Sequence, residues 1–220
     1  MKKINLGVLV SGGGTNLQSI IDSIAAGKMD ATIQVIISNI PGVRSLERAR
    51  KHDIPAVVID HERFATREDF DREMVSVLKA HHVDLVVMAG FMRILTPVLL
   101  KAFPLKIINI HPALLPSFQG LHVQEKAFDY GVKFSGCTVH FVDEGVDTGP
   151  IIIQAVVPVY GDDTAEMLQQ RILEEEHRIY PQAIQLYAEG RLEVTGRKVR
   201  VQNPRPMEAS SLHNPPLEKF

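Results

Sequence analysis

Cysteine is nearly absent from the sequence, which has a single one, Cys137, among 220 residues. One cysteine excludes a disulfide within the chain and a zinc site built from several cysteines. The formal net charge is only −2, which disfavours a strongly basic face for nucleic acid. We therefore expect a cytoplasmic protein in a reducing compartment, with no nucleic-acid partner.

Long apolar runs are also missing, since none approaches the roughly 20 residues of a membrane-spanning helix. The apolar run at residues 4–10 follows Lys2 and Lys3, as in a signal peptide, but it is short and ends near three glycines. A first strand with a glycine turn explains this run better than a cleaved leader does. We expect no membrane partner.

Short segments rich in valine and isoleucine alternate with helical patterns in the first half of the chain. The predicted strands are residues 4–10, 31–38, 56–59, 85–89 and 106–110, and the predicted helices are 16–26, 42–52, 68–81 and 97–103. Near-continuous apolar runs are typical of strands buried on both faces. The alternation predicts an α/β fold, a three-layer, Rossmann-like, mostly parallel sheet with helices on both faces.

The pattern changes from Lys133 onward. Residues 135–142 and 151–159 predict two longer strands joined by a turn-rich linker, and a long helix is expected over about 164–188. We expect antiparallel strands in this part of the sheet. Several prolines stand among polar residues after Asn203, which is typical of irregular chain. The predicted organisation is a single domain at 1–202 and an irregular or mobile tail at 203–220.

Glycines 12–14 follow the first predicted strand and precede a helix, and residues 15–18 match a capping box. Free N–H groups and the positive dipole end of a helix attract an anion, which glycines allow to come close. Neither a Walker A lysine nor a full dinucleotide fingerprint is present, because Leu17 replaces the third glycine and no acidic residue follows the second strand. The loop favours a single phosphate over a dinucleotide; the alternative is a tight turn that only requires glycine.

Asn109 and His111 end a buried strand just before Pro112. Residues two apart on a strand share a face, and the carboxyl edge of an open α/β sheet is where ligands bind. The alternative for His111 is a hydrogen-bonded core histidine. His122 and His140 also occur, but their spacing matches no usual ligand pattern, so we expect no metal site.

Asp147 lies in a glycine-flanked turn between the two later strands. Exposed aspartates in such turns usually only form the turn. Its assignment to a functional site therefore depends on the resemblance of the whole chain.

Together these segments resemble the folate-dependent formyltransferases, in the branch that acts on glycinamide ribonucleotide. The resemblance runs from about residue 4 to residue 195 without large gaps. Asn-x-His with a downstream aspartate marks the wider family, whereas the glycine loop and a Glu-His-x-Ile-Tyr-Pro helix mark the branch. The matching stretches are residues 11–18, 89–95, 109–116, 147–151 and 176–181.

The resemblance implies roles residue by residue. The implied catalytic residues are Asn109, His111 and Asp147. Those implied to bind glycinamide ribonucleotide are Gly14, Thr15, Asn16 and Glu176. Those implied to bind folate are Arg67, Met92, Arg93, Ile94, Leu95 and again Asn109. Taken without the resemblance, the apolar members of this last set are best explained as ordinary core residues. Its arginines suit a glutamyl carboxylate, and the alternative for either is a solvated surface charge.

The implied reaction transfers a formyl group from 10-formyltetrahydrofolate, a co-substrate, to the amine of glycinamide ribonucleotide in de novo purine biosynthesis. Donors at the formyl oxygen stabilise the tetrahedral intermediate, and Asn109 with a protonated His111 suits that task. Asp147 would favour the imidazolium and hold a proton-relaying water. We expect small-molecule partners and a monomer or homodimer.

Other members of the family are the main alternatives. A methionyl-tRNA formyltransferase would usually add a basic C-terminal domain, and a formyltetrahydrofolate deformylase an N-terminal regulatory domain; we expect neither here. A non-catalytic nucleotide-binding protein of the same fold predicts binding without turnover. An NAD-dependent oxidoreductase is disfavoured by the defective dinucleotide fingerprint.

Overall fold

A computed structural model describes residues 3–204 of the chain. Its strands are β1 (Ile4–Val10), β2 (Ala31–Ser38), β3 (Ala56–Val58), β4 (Leu85–Met88), β5 (Ile107–His111), β6 (Phe134–Phe141), β7 (Ile151–Pro158), β8 (Leu192–Thr195) and β9 (Lys198–Val201). Its α-helices are α1 (Thr15–Ala25), α2 (Arg44–Lys51), α3 (Arg67–Ala80), α4 (Pro97–Ala102), α5 (Val123–Tyr130) and α6 (Ala165–Ala188). Every element predicted from the sequence is present, with bounds that differ by at most two residues.

The strands of residues 3–204 form one nine-stranded sheet in the order β3-β2-β1-β4-β5-β6-β7-β9-β8. The first five strands in this order are mutually parallel. β6 runs antiparallel to both β5 and β7, and β9 runs parallel to β7 and antiparallel to β8. The predicted α/β sheet with antiparallel strands toward its C-terminal part is confirmed. The single domain at 1–202 stays a prediction, and the predicted tail lies outside the described residues from 205 onward.

Helices cover both faces of the sheet. Val8 and Leu9 are neighbours in β1, yet they belong to opposite core layers because alternate side chains of a strand point to opposite faces. Residues of α1 and α6, such as Leu17 and Ile172, pack on one face, whereas Phe70 of α3 packs on the other. No helix within residues 3–204 is long and apolar enough to span a membrane.

One helix, one hairpin and one cap differ from the sequence-based predictions. α5 and the β8–β9 hairpin were not predicted. The capping box at residues 15–18 is wrong: Gly14 is the N-cap, in left-handed conformation with φ 70°, and α1 has no side-chain cap. A capping side chain stands on an extended residue before the first turn. Here the glycine turns the chain one residue earlier, so Thr15 is already in the helix.

The connections around β1 and β4 mark the part of the carboxyl edge of the sheet where a ligand crevice is expected. β1 and β4 are neighbours, but the chain leaves β1 through α1 toward β2 and leaves β4 through α4 toward β5. Such a reversal of strand order opens a ligand-sized crevice beyond the carboxyl ends of the strands. The loops after β1 and β4 border it and touch, since the Ser11 N–H donates to the Gly90 carbonyl at 3.2 Å.

Candidate active site

Asn109 and His111 lie on one face of β5 at this carboxyl edge. In the sheet register Asn109 is paired with Met88 of β4 on one side and with His140 of β6 on the other. His111 is 3% exposed, whereas Asn109 is half-buried. The strand pattern thus brings these two residues together, as predicted.

Both ring nitrogens of His111 face oxygen atoms. Nδ1 lies 3.4 Å from Asp147 Oδ2, and Nε2 lies 2.8 Å from the Phe118 carbonyl oxygen. A carboxylate and a carbonyl only accept, so both contacts can be hydrogen bonds only when the ring carries two protons. The Gly120 N–H donates to the same Asp147 oxygen at 3.0 Å. Asp147 therefore joins His111 to the following loop instead of only forming its own turn.

His140 is a site residue that sequence reasoning missed, having considered it only as a metal ligand. It is 1% exposed. Its Nδ1 lies 2.8 Å from the Phe141 carbonyl, which only accepts, so this nitrogen carries the proton. Its Nε2 then accepts from the Asn109 amide at 3.2 Å and lies 3.7 Å from Asp147 Oδ1. Burial lowers the pKa of His140, which favours this neutral form and fixes which way the Asn109 amide faces.

Helix α2 supports the glycine loop from behind. Ser45 donates to the Gly12 carbonyl through its N–H (3.1 Å) and its hydroxyl (2.8 Å), and Arg48 Nε donates to the Gly13 carbonyl at 3.0 Å. Gly14 has φ +70°, and a Cβ there would lie 2.8 Å from that of Ser45. The first N–H groups of a helix have no partner within it, so α1 presents free donors beside a loop whose carbonyls are held by α2.

Glu176 of α6 reaches the start of α1. Asn16 Nδ2 donates to Glu176 Oε2 at 2.7 Å, and Glu176 is 6% exposed. Burial raises the pKa of Glu176 to about 7, although the hydrogen bond from Asn16 acts in the opposite direction. Within the described residues the buried Asn16 Oδ1 has no partner. The structure thus joins two of the four predicted ribonucleotide residues, with Gly14 next to them and Thr15 exposed.

The apolar residues after β4 divide into two groups. Leu95 is buried in the core, as its alternative interpretation expected. Met92 and Ile94 are 67% and 55% exposed. Two large apolar side chains that face solvent beside a crevice are typical of a ligand surface, and their exposure excludes ordinary core packing for them.

Helix α3 holds this stretch in place. The Arg93 guanidinium lies over the Phe70 ring, 5.5 Å from its centroid. At the end of the stretch the Asp71 carboxylate accepts from the Thr96 N–H at 2.6 Å and from its hydroxyl at 2.8 Å. Arg67 is the exposed first residue of the same helix. The structure places Arg93 in the loop after β4, against α3, and Arg67 at the exposed start of α3.

No group of three histidine, cysteine, aspartate or glutamate side chains within residues 3–204 is placed to hold a metal ion. The side chains that converge at this edge are hydrogen-bond donors and acceptors, namely Asn109, His111, His140 and Asp147.

The chain is similar in sequence and in fold to known proteins. The formyl transferase family model matches residues 4–184. The phosphoribosylglycinamide formyltransferase of Escherichia coli is 40% identical over 191 residues, which cover 87% of this chain and 90% of that protein. The crystal structure of glycinamide ribonucleotide transformylase 1 from Symbiobacterium toebii superposes with a TM-score of 0.89 at 51% identity, covering 91% of this chain and 94% of the other.

A longer relative contains a similar segment. The trifunctional purine biosynthetic protein adenosine-3 of Drosophila melanogaster is 48% identical over 191 residues, or 86% of this chain. The chain spans only 14% of the length of that relative. The match of the family model and of the two full-length relatives shows that the chain belongs to the formyl transferase family, in its phosphoribosylglycinamide formyltransferase branch.

Proposed function

We propose that the protein transfers the formyl group of 10-formyltetrahydrofolate to the amine of glycinamide ribonucleotide, a step of purine biosynthesis. The observation that carries the proposal is the convergence of Asn109, His111 and Asp147 beside the crevice, between a glycine loop and an exposed apolar stretch. Membership of the family supports the reaction class.

Each bordering loop suits one substrate. The loop at residues 12–14 and the N-terminus of α1 suit the phosphate of the ribonucleotide, and Glu176 reaches the same helix through Asn16. Met92 and Ile94 suit the flat pterin, which apolar side chains can cover. Holding the two substrates side by side removes much of the entropy cost of a bimolecular step.

The proposed reaction is direct attack. The neutral amine of the ribonucleotide forms a bond to the formyl carbon, and the carbonyl electrons move onto oxygen. The second N–H of the Asn109 amide and the Nε2–H of His111 stabilise that oxygen by hydrogen bonds. The intermediate then collapses, the bond from carbon to N10 of the folate breaks, and the proton of the amine reaches N10 through a water held by Asp147.

His111 becomes available only when its neighbour moves. Its Nε2 is engaged by the Phe118 carbonyl. That carbonyl oxygen occupies the position which a formyl oxygen would take beside the same N–H. We therefore expect the loop that carries Phe118 to shift when both substrates bind.

Other nucleophiles of the chain do not suit an acyl-enzyme. Burial raises the pKa of the Cys137 thiol far above its ordinary value. The Ser11 hydroxyl is engaged by two partners, and neither is a general base. Both features support direct transfer.

The decisive experiment follows tetrahydrofolate release from 10-formyltetrahydrofolate spectrophotometrically, with and without glycinamide ribonucleotide. We expect release only when the ribonucleotide is present, with one formylated amine per folate. Release without the ribonucleotide would instead identify a deformylase, in which water replaces the amine. Binding of both ligands without release would identify a non-catalytic member of the fold.

Replacing Gly14 with alanine tests the phosphate loop. The new Cβ would meet Ser45 at 2.8 Å in a left-handed backbone conformation, so the loop must shift away from α2. We expect the KM for the ribonucleotide to rise by about 10- to 100-fold, because a hydrogen bond to a charged group contributes about 1.5–3 kcal/mol. The KM for the folate should stay nearly unchanged.

Gly27→Ala is the matched control for this variant. Gly27 has φ +66°, so it carries a similar backbone penalty just beyond the far end of α1, and a Cβ there meets nothing within 4 Å. Calorimetry in which Gly14→Ala loses more affinity for the folate than for the ribonucleotide, relative to the wild-type protein, would refute the loop assignment.

A further inference from the structure

Ser11 lies at the point where the loops after β1 and β4 meet. It is the first residue after β1 and is 8% exposed. Its N–H donates to the Gly90 carbonyl at 3.2 Å, and its hydroxyl oxygen accepts from the Met92 N–H at 2.9 Å. Ser11, which directly precedes glycines 12–14, therefore holds the backbone of the loop after β4 at two points, and this loop carries the proposed folate-binding stretch at residues 92–95.

The Ser11 hydroxyl also has a third partner. Since the Met92 N–H can only donate, the hydroxyl proton is free to go elsewhere, and it goes to Asn39 Oδ1 at 2.6 Å. Asn39 follows β2, is 3% exposed, and its carbonyl lies 3.0 Å from His61 Nδ1. The loops after β1, β2 and β4 are thus tied through one buried hydroxyl whose donor and acceptor are both used.

We propose that Ser11 is a positioning residue that couples the two substrate sites, so that a ribonucleotide in the glycine loop stiffens the folate-binding stretch and a folate stiffens the loop. The inference rests on the proposed function for the identity of the two ligands. Buried polar groups that lose their partner are costly. Without the hydroxyl, the Met92 N–H and the Asn39 amide oxygen each lose a hydrogen-bond partner. We therefore expect the folate-binding stretch to shift until these groups find other partners.

If the two loops acted separately, the loss of Ser11 would affect the ribonucleotide alone. Ser11 belongs to the ribonucleotide loop, yet its loss should weaken the folate. In Ser11→Ala we expect the folate KM to rise roughly 5- to 20-fold and kcat to fall less, because the substitution does not touch Asn109, His111 or Asp147. Ser11→Thr keeps the hydroxyl and should restore most of the folate KM.

Coupling itself is measured by calorimetry, with glycinamide ribonucleotide titrated into the full chain alone and into the chain saturated with tetrahydrofolate. No formyl group is present, so both complexes are stable. In the wild-type protein we expect tetrahydrofolate to tighten ribonucleotide binding about 5-fold or more, and the reverse titration must give the same factor. In Ser11→Ala both factors should fall toward one.

Two further variants serve as a second test of the same contact and as a control. Asn39→Ala removes the acceptor of the Ser11 proton and the contact of Asn39 Nδ2 with His61 Nδ1 at 3.3 Å, but it leaves the Ser11 hydroxyl on the Met92 N–H. We expect a smaller effect in the same direction, and this variant takes the place of Ser11→Ala if that one fails to fold. Ser38→Ala is the matched control, because Ser38 is a fully buried serine at the end of β2. Among residues 3–204 its hydroxyl is hydrogen-bonded only to the backbone of Ile40. It should change neither the folate KM nor the coupling.

The outcomes separate this inference from the proposed function. An unchanged folate KM and an unchanged coupling factor in Ser11→Ala overturn the inference, as does a wild-type protein with no coupling. A wild-type protein that binds both ligands with coupling but transfers no formyl group overturns the proposed function and leaves the role of Ser11 standing.

Discussion

Replacing His111 with alanine is expected to lower kcat/KM for formyl transfer by roughly 10²–10⁴-fold while the fold survives. The imidazole supplies an N–H at the proposed position of the formyl oxygen, and it is the partner of Asp147 at 3.4 Å. After the replacement Asp147 keeps the Gly120 N–H, so no carboxylate is left without a donor. The loss should therefore appear in turnover more than in the free energy of unfolding.

Asn109→Ala should lower the same rate by roughly 10²–10⁴-fold, because its amide is the second donor to one oxygen. If both residues serve that oxygen, the double variant loses less than the product of the two single losses. Independent roles would instead give a full product. Steady-state kinetics of the three variants distinguishes the two cases.

His81→Ala is the control for these variants. His81 follows α3 at the amino edge of the sheet, opposite the crevice, so its loss should leave turnover unchanged. Near-normal turnover in both His111→Ala and Asn109→Ala would remove the catalytic assignment, and the reaction would then have to depend on other groups.

Local sequence was sufficient for the parts of the site that depend on strand periodicity. Asn109 and His111 had to share a face because they are two residues apart on a strand, and their edge followed from the alternation of strands and helices. The glycine loop after β1 was predicted for the same reason. The α/β sheet and its late antiparallel strands were accessible because each element has its own apolar pattern.

The remainder depended on pairings between distant segments. His140 joins the site only because the antiparallel register sets it opposite Asn109, and a shift by one residue would have turned it to the other face. Asp147 arrives through a turn in which it has φ +53°. Met92 and Leu95 are both large apolar residues, yet Met92 is exposed and Leu95 is buried. Packing against α3 and α4 decides this difference.

Short elements escaped prediction for another reason. The eight residues of α5 bury only Val123 and Ala127. One pair of apolar residues a single turn apart does not distinguish a helix from a loop. The β8 and β9 strands have four residues each. An alternation of apolar and polar residues over four positions often arises by chance, so it does not identify a strand. In both cases tertiary packing supplies the stability that local preference lacks.

Glu176→Gln should make the protein more stable at alkaline pH and less active. Burial raises the pKa of Glu176 to about 7 from 4.5. Between these values the folded protein holds a proton that the unfolded chain has released, so the free energy of unfolding falls as the pH rises from 4.5 to 7 and stays lower above it. Glutamine is neutral throughout and avoids this loss, and its amide oxygen can still accept from Asn16.

The stabilisation should therefore be near zero at pH 4.5 and reach about 1–3 kcal/mol at pH 8.5, since one pKa unit corresponds to about 1.4 kcal/mol. Urea unfolding at both pH values measures it. Glu175→Gln is the control, because it removes the same charge from the next residue, which is paired with Arg178 at the helix surface. A gain that is equal at both pH values, or a loss at pH 8.5, would contradict the prediction.

The kinetics of Glu176→Gln test whether the buried carboxylate binds the ribonucleotide. A carboxylate that costs stability where it stands needs a function that only its charge or its acceptor oxygens can supply. If Glu176 binds the ribonucleotide, Glu176→Gln raises the KM for that substrate and leaves the folate KM unchanged, while the protein becomes harder to unfold. A variant that is more stable and equally active would show that the buried charge serves neither the fold nor the reaction, and the ribonucleotide site would then have to be assigned without Glu176.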